Sequence, residues 1–325
     1  MLIFRTDASA KTGFGHLKRS VYLASLLKKK ADILFCVNKD KAALRFLEER
    51  GVAYCLSKVL PSLENEQITG IVFDLRDFSP ADIVWLKEAK EKGITTVQVT
   101  DLGLSQQAVD YTIDAYSEGL FPYDQGKQVL LGPDYTLLYH KFRHFNKVRR
   151  KYRAKVKNIF ISLGGGVQYR RLKTLVDILK RHGFNIKVAA GFYLKKADRK
   201  ALMHLCPRLR FVGKTESLAR PLFEADLALI TAGVAAAEAA AVGTPALYFY
   251  YHDEQKFVAQ SFQKRGMGLV ISNIDDLIEG NIIEKINSLN LETRIEMGRL
   301  GKQTVDGRGA SRIVGFFESK GIVSV

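Results

Sequence analysis

Residues 2–30 read LIFRTDASAKTGFGHLKRSVYLASLLKKK, and the order of textures in this stretch decides the fold. Leu2–Thr6 has the length and the apolar, β-branched character of a buried strand. A short loop carrying Asp7 follows, and Gly13-Phe-Gly-His16 then opens an amphipathic stretch expected to be helical over 15–30. Strand, glycine turn and helix in that order begin an α/β unit.

The alternation continues along the chain. Further strands are expected near 32–37, 52–56, 70–74 and 95–100, with helices near 40–50 and 79–92. Ser79-Pro80-Ala81-Asp82 marks the last of these helix starts, because serine can cap the first amides and proline suits the first helical position. After a basic stretch the pattern restarts. Strands are expected near 157–162, 185–190, 209–213, 226–230 and 245–250, and helices near 169–182, 195–205, 216–224, 233–242 and 253–265. The reading is an α/β protein of two Rossmann-like domains, 1–150 and 151–325, facing across a cleft. A terminal helix over 311–319 can pack back on the first domain. A length of 325 residues suits two such cores.

Composition narrows the function classes. With 47% apolar residues the chain can fill two cores, which argues against long disorder. No apolar run approaches the roughly 20 residues that span a bilayer, and the opening reads as a strand rather than a signal peptide. Cys36, Cys55 and Cys206 fit neither a disulfide framework nor a zinc spacing, so a cytoplasmic setting is expected. The 50 basic and 34 acidic residues give +16, which favours anionic partners. The densest run is Lys141–Lys157, KFRHFNKVRRKYRAKVK. A solvated helix and linker between the lobes is the favoured reading; peripheral contact with an anionic membrane is a second, and nucleic-acid binding is the least favoured.

Two glycine-rich regions carry the chemistry. Gly13 and Gly15 can take positive φ and let a ligand approach the backbone, while a helix N-terminus welcomes negative charge. His16 in that first turn is a candidate general base, kept neutral by the helix field. The same residues also fit a structural turn with a buried polar histidine. The spacing is neither the dinucleotide fingerprint nor a Walker loop. In the second half, Ile159–Leu163 runs into Gly164-Gly165-Gly166, and Leu227–Ile230 runs into Thr231-Ala232-Gly233 before an alanine-rich helix. Both turns can hold phosphate on backbone amides. Glu238, the one charge among those alanines, can accept from ribose hydroxyls or simply face solvent.

The pattern Arg5-Thr-Asp-Ala-Ser9 with Gly13-Phe-Gly-His-Leu-Lys-Arg19 closely resembles the opening of the UDP-sugar hydrolase of pseudaminic acid biosynthesis and of the related spore-coat polysaccharide G-type proteins. There the motif is R-A-D-A-S followed by G-x-G-H-x-x-R, and its histidine is the catalytic base. Ser162 with Gly164-Gly165, and Thr231-Ala232-Gly233 with Glu238, are similar to the phosphate and ribose loops of the wider GT-B glycosyltransferases. The turn Asp253-Glu254-Gln255 resembles their N-Q turn. Val72-Phe-Asp74, Val99-Thr-Asp101-Leu102 and Leu130–Tyr135 also look like the family. The sequence departs from it at Ala232, Val234 and Glu254, and at Arg76 and Asp77, where the family has a tyrosine.

The resemblance implies His16 and Asp74 as catalytic residues, with Arg19, Arg76, Asp77 and Glu254 near the sugar. Asp74 and Asp77 fit equally well as caps of the helix starting near 80. Gly13, Gly15, Gly164–Gly166, Thr231–Gly233, Glu238 and Gln255 would hold the nucleotide. The leading expectation is hydrolysis of a UDP-linked deoxy-amino sugar at C1, with no cofactor and no metal required. The alternatives are glycosyl transfer from the same donor, a non-catalytic sugar-nucleotide binder, or a nucleic-acid binder.

Overall fold

The structure is a computed structural model describing residues 1–9, 13–64, 67–100, 109–116, 128–164, 169–191, 193–212 and 217–324. The chain divides into two units, one made of Met1–Leu138 with Arg308–Val325 and the other of Tyr139–Gly307.

The first unit contains β1 (Leu2–Thr6), α1 (Gly15–Leu27), β2 (Ile33–Val37), α2 (Lys41–Glu48), β3 (Tyr54–Leu56), β4 (Gly70–Asp74), α3 (Pro80–Glu91), β5 (Thr95–Thr100), β6 (Tyr111–Asp114) and β7 (Gln128–Leu131). Among the described residues its strands form one parallel sheet in the order β3-β2-β1-β4-β5-β6-β7. The order reverses between β1 and β4, the position in a doubly wound sheet where the loops separate and a ligand can enter. Every residue of β1 and β4 is buried, as expected for central strands covered on both faces. α1 stops at Leu27, because Lys28–Lys30 have no apolar face left to bury.

α3 begins as its sequence dictates. The Ser79 hydroxyl accepts from the Asp82 amide at 3.2 Å, and the Asp82 carboxylate accepts from the Ser79 amide at 2.9 Å. Trp85 packs edge-on against Phe73 and donates to the Pro61 carbonyl at 3.1 Å. β6 and β7 were not expected. Each is only four residues long and polar at one or both ends, so neither stands out as an apolar run.

The second unit contains α4 (His140–Lys147), β8 (Asn158–Ser162), α5 (Tyr169–Arg181), β9 (Asn185–Val188), α6 (Lys196–Leu205), β10 (Leu209–Phe211), α7 (Ala219–Glu224), β11 (Leu227–Thr231), α8 (Val234–Ala241), β12 (Ala246–Tyr250), α9 (Asp253–Lys264), β13 (Gly268–Asn273), α10 (Glu279–Ser288) and α11 (Leu291–Thr304). Its parallel sheet has the order β10-β9-β8-β11-β12-β13, with the reversal between β8 and β11. α12 (Gly309–Ser319) returns to the first unit, where Glu318 pairs with Lys30 at 2.8 Å.

The chain divides at Leu138/Tyr139, so the basic stretch belongs to the second unit; its lysines are exposed, as on a solvated helix and linker, while other side chains in it bind that unit. Asn146 Nδ2 reaches the carbonyls of Ala241, Lys302 and Val305 at 3.0–3.1 Å. Arg150 donates to the carbonyls of Phe223 and Ala225 and to Thr244 Oγ1. Burial pulls its guanidinium pKa down to about 10. Tyr152 donates to the Gly243 carbonyl at 2.9 Å, and the fully buried Arg294 closes on the carbonyls of Arg153 and Ala154. Arg150 is thereby withdrawn from the basic surface of the run, whereas the lysines of the run stay exposed. No helix among the described residues is long and apolar enough to cross a membrane.

Because Trp85 is the sole tryptophan, its fluorescence reports on the first unit. Ser79→Ala is expected to lower that unit's stability by about 1 kcal/mol through loss of the α3 cap, read as a lower urea midpoint of Trp85 emission.

Candidate functional site

The loop after β1 is fixed by a buried arginine. Arg5 Nε donates to Asp82 Oδ1 at 2.6 Å, and Arg5 Nη1 donates to Asp7 Oδ1 at 2.5 Å. Asp7 accepts in turn from the Asn38 amide at 3.0 Å, and the Asn38 side chain pairs with both backbone groups of Ala8. The Arg-x-Asp-Ala pattern therefore has a structural cause, since it ties the loop to β2 and to the first turn of α3. Ser9 and Gly13 then pair backbone to backbone. Gly13 has φ +79°, which calls for glycine. Gly15 instead lies in α1, and a side chain there would meet nothing within 4 Å among the described residues. What this glycine provides is open space over the helix N-terminus.

His16, Arg19 and Ser20 stand at i, i+3 and i+4, on one face of α1. All three converge on Asp74, the last residue of β4, which pairs in register with Thr6 of β1. His16 Nδ1 lies 2.6 Å from Asp74 Oδ1. Arg19 donates through Nε to Oδ2 at 2.8 Å and through Nη2 to Oδ1 at 2.5 Å, and Ser20 Oγ donates to Oδ2 at 2.8 Å. Asp74 is fully buried. Burial alone would raise its pKa, but Arg19 and then His16 outweigh that and hold the carboxyl well below the usual range. His16 Nδ1 faces both this ionised acceptor at 2.6 Å and the Arg19 Nη2 donor at 3.0 Å, and the shorter contact to the acceptor favours the proton on Nδ1 with the lone pair on Nε2. Such a carboxylate-oriented imidazole is equipped to take a proton from an oxygen nucleophile.

Arg19 is 5% exposed and occupied by Asp74, so the structure uses it to set the carboxylate and not to present a charge to a ligand. Arg76 and Asp77 join neither this cluster nor the cap of α3. They lie 4.0 Å from each other, with the Asp77 side chain 83% exposed, and Ser79 does the capping. Asp101 lies outside the described residues.

In the second unit the expected turns sit side by side at the carboxyl ends of β8 and β11, where Ser162 pairs with Ile230. Gly164 has φ +81°, and a side chain on it would meet Thr231 Oγ1 at 3.8 Å. Gly165 and Gly166 lie outside the described residues. Among the described residues, Gly233, at φ +126°, starts α8 with no side-chain cap, no acid in the first turn and nothing within 4 Å of where a side chain would stand. Uncapped amides beside a buried threonine can receive an anion. Ala232 is buried behind this turn, and Glu238 is half-buried on α8.

The turn before α9 differs from its expected role. Gln255 Oε1 accepts from the Tyr251 amide at 2.9 Å, so part of its amide serves the backbone. Glu254 Oε2 lies 2.7 Å from His252 Nδ1, a contact that is an ion pair only when the imidazole is protonated. His252 also caps α9, a role not legible from its position alone. Sequence reasoning missed Tyr251 and Arg171 as well. Tyr251 donates to the Leu163 carbonyl at 2.7 Å and so fixes the glycine turn, and burial pushes its phenol up to about 12. The Arg171 guanidinium stacks over its ring at 5.0 Å, held by Asp275 at 2.7 Å. Among the described residues, no three metal-ligating side chains converge.

Two parallel Rossmann-like sheets with their switch points so furnished define the GT-B glycosyltransferase fold, and comparison with solved structures agrees. MurG of Acinetobacter baumannii superimposes with a TM-score of 0.69 at 15% identity, covering 98% of this chain and 99% of that one. UGT2 of Phytolacca americana, solved with UDP-2-fluoro-glucose and pterostilbene, gives 0.65 at 11% identity, covering 98% and 99%. By sequence the chain is similar to SpsG, a spore coat polysaccharide biosynthesis protein of Bacillus subtilis strain 168. The two are 23% identical over 341 aligned positions, covering 96% of each. No protein-family model matches the chain.

Replacing Asp74 by asparagine leaves Arg19 buried without its counter-charge. Asp74→Asn is expected to cost about 3–5 kcal/mol at neutral pH, measured by denaturant unfolding through Trp85. Because the folded-state pKa of Asp74 lies below its unfolded value, its contribution is complete above the unfolded value of about 3.9. The gap between wild type and variant should close as pH falls from there through the folded value.

Proposed function

We propose that the protein is a nucleotide-sugar enzyme in which His16 Nε2 deprotonates an oxygen nucleophile that attacks the anomeric carbon of the donor. The C1–O bond to the nucleoside diphosphate breaks, the leaving oxygen takes the electron pair, and the proton stays on the imidazole. The observation that carries this reading is the 2.6 Å contact between His16 and a buried, ionised Asp74. That contact orients the ring and stabilises the imidazolium formed during attack. Diphosphate binding is assigned to the second unit, at the Gly164 and Thr231–Gly233 turns, with the Arg171 cation nearby. No step routes through a metal.

The nucleophile in this proposal is an acceptor hydroxyl, which makes the reaction a glycosyl transfer in surface-polysaccharide assembly. The fold shared with MurG, and the whole-length likeness to a spore coat polysaccharide protein, support transfer over the hydrolysis expected from the opening motif. Hydrolysis remains the second reading, because Arg5–Arg19 matches the hydrolase-like pattern and water needs no acceptor site. The UDP-type donor is supported by the similarity of the second unit's turns to those of GT-B enzymes.

Incubation with a panel of UDP-amino sugars in ¹⁸O-water, with and without polysaccharide or lipid-linked hydroxyl acceptors, separates these. Acceptor-dependent release of UDP is the expected result. Release in water alone, with label in the sugar, selects hydrolysis, and tight UDP binding without turnover of any donor sinks both. His16→Ala should lower kcat by about 10²–10⁴-fold while leaving UDP affinity unchanged. Gly233→Val, which strains a left-handed position and fills the space over the α8 amides, should instead weaken UDP binding, measured by calorimetry.

A further inference from the structure

The sheet of the second unit has a concavity at the end away from Gly164 and Thr231. It is formed at the amino ends of β8, β9 and β10 and by α7, with a volume of about 310 Å³, enough for a compact ligand. Strands of four or five residues rise about 3.3 Å per residue, so this end lies on the order of 15 Å from the phosphate turns. The two places are separate.

The floor is apolar, built from isoleucine, proline and alanine side chains, while the rim carries Arg153, Lys187, Arg208 and Arg210 against one acid, Glu224. Glu224 already accepts from Lys187 at 3.1 Å and from Arg220 at 2.8 Å. Arg153 stands 3.3 Å from buried Asp226 and is partly neutralised. Arg208 and Arg210 differ from these. Among the described residues their guanidiniums donate to backbone carbonyls, of Gly183 at 2.8 Å and of Pro207 and Leu209 at 2.6 and 2.9 Å. Two guanidinium charges are therefore gathered at one mouth, and among the described residues no carboxylate pairs with either. Such an arrangement is relieved by a bound anion, and the planar guanidinium fork matches phosphate oxygens in pairs.

We propose that this concavity binds a small soluble phosphomonoester, with Arg208 and Arg210 on the phosphate and the apolar floor against its organic body. The charge of the rim selects the phosphate, and the floor distinguishes an ester from inorganic phosphate. The proposal does not depend on the identity of the reaction, because none of these residues belongs to the donor turns or to the His16 cluster.

Phenyl phosphate supplies both features, and inorganic phosphate supplies only one. Calorimetric titration of the full chain should show one phenyl phosphate site per chain, tighter than for inorganic phosphate. Binding should weaken about tenfold or more in the Arg208→Ala/Arg210→Ala double variant and likewise in Arg210→Glu. Both positions are exposed, so an unchanged melting temperature is expected and confirms that the variants fold. Thr231→Val should leave this binding intact. Equal binding by wild type and both variants would overturn the proposal, as would loss of binding in Thr231→Val. Retention on phosphatidic-acid vesicles that depends on Arg208 and Arg210, with no phenyl phosphate bound, would also overturn it and place a lipid headgroup there.

Discussion

An ionised carboxylate taken wholly out of water must be surrounded by donors, and the first unit is organised around satisfying Asp74. The strand pairing of β1 with β4 delivers the carboxylate to the switch point, and one face of α1 meets it there. Arg19 supplies the charge that keeps Asp74 ionised inside the protein, Ser20 fills a remaining lone pair, and His16 takes the last position. The imidazole is thus held by a group that is itself rigidly held. Arg5 does for the preceding loop what Arg19 does for the carboxylate, joining β1 to Asp7 and Asp82 so that the turn into α1 has one course.

The second unit repeats the topology and inverts the chemistry. Among the described residues its switch point has no buried carboxylate; it has two glycine-bearing turns, an uncapped helix start and the Tyr251–Arg171 pair, which binds the Leu163 carbonyl. One sheet therefore ends in a carboxylate-held imidazole and the other in uncapped amides. Both follow from which side chains are present at the carboxyl ends of the strands.

Much of this was legible in the sequence for definite reasons. Central strands such as β1, β4 and β8 are continuous apolar runs, and Ser79-Pro80 announces a helix start without help from the fold. The His16 motif and both glycine-bearing turns were also visible, because glycine next to a strand end leaves a local signature. What escaped were partners brought from far along the chain. Asp82, Asn38 and Tyr251 each act through contacts that no spacing encodes. The basic run 141–157 was read only in part, for a related reason. Its composition is that of a solvated surface and its lysines are exposed, yet Asn146 and Arg150 answer carbonyls at the ends of α7, α8 and α11, and Lys302 of α11 donates back to the Val148 carbonyl. Cys36 and Cys55 look scattered in the sequence and stand 3.1 Å apart in paired strands.

The second unit interrupts the first, since Arg308–Val325 closes what Met1–Leu138 begins. Synthesis runs in one direction, so the later unit has all its strands available while the earlier one still lacks its last helix. Gly309 shows how closely that helix fits, because a methyl group there would stand 2.3 Å from the Thr136 carbonyl. On the ribosome, the half that carries the histidine therefore waits for this helix, and a chain released before residue 309 would leave α1, the Pro133–Tyr135 turn and Tyr111 without the helix that packs on them.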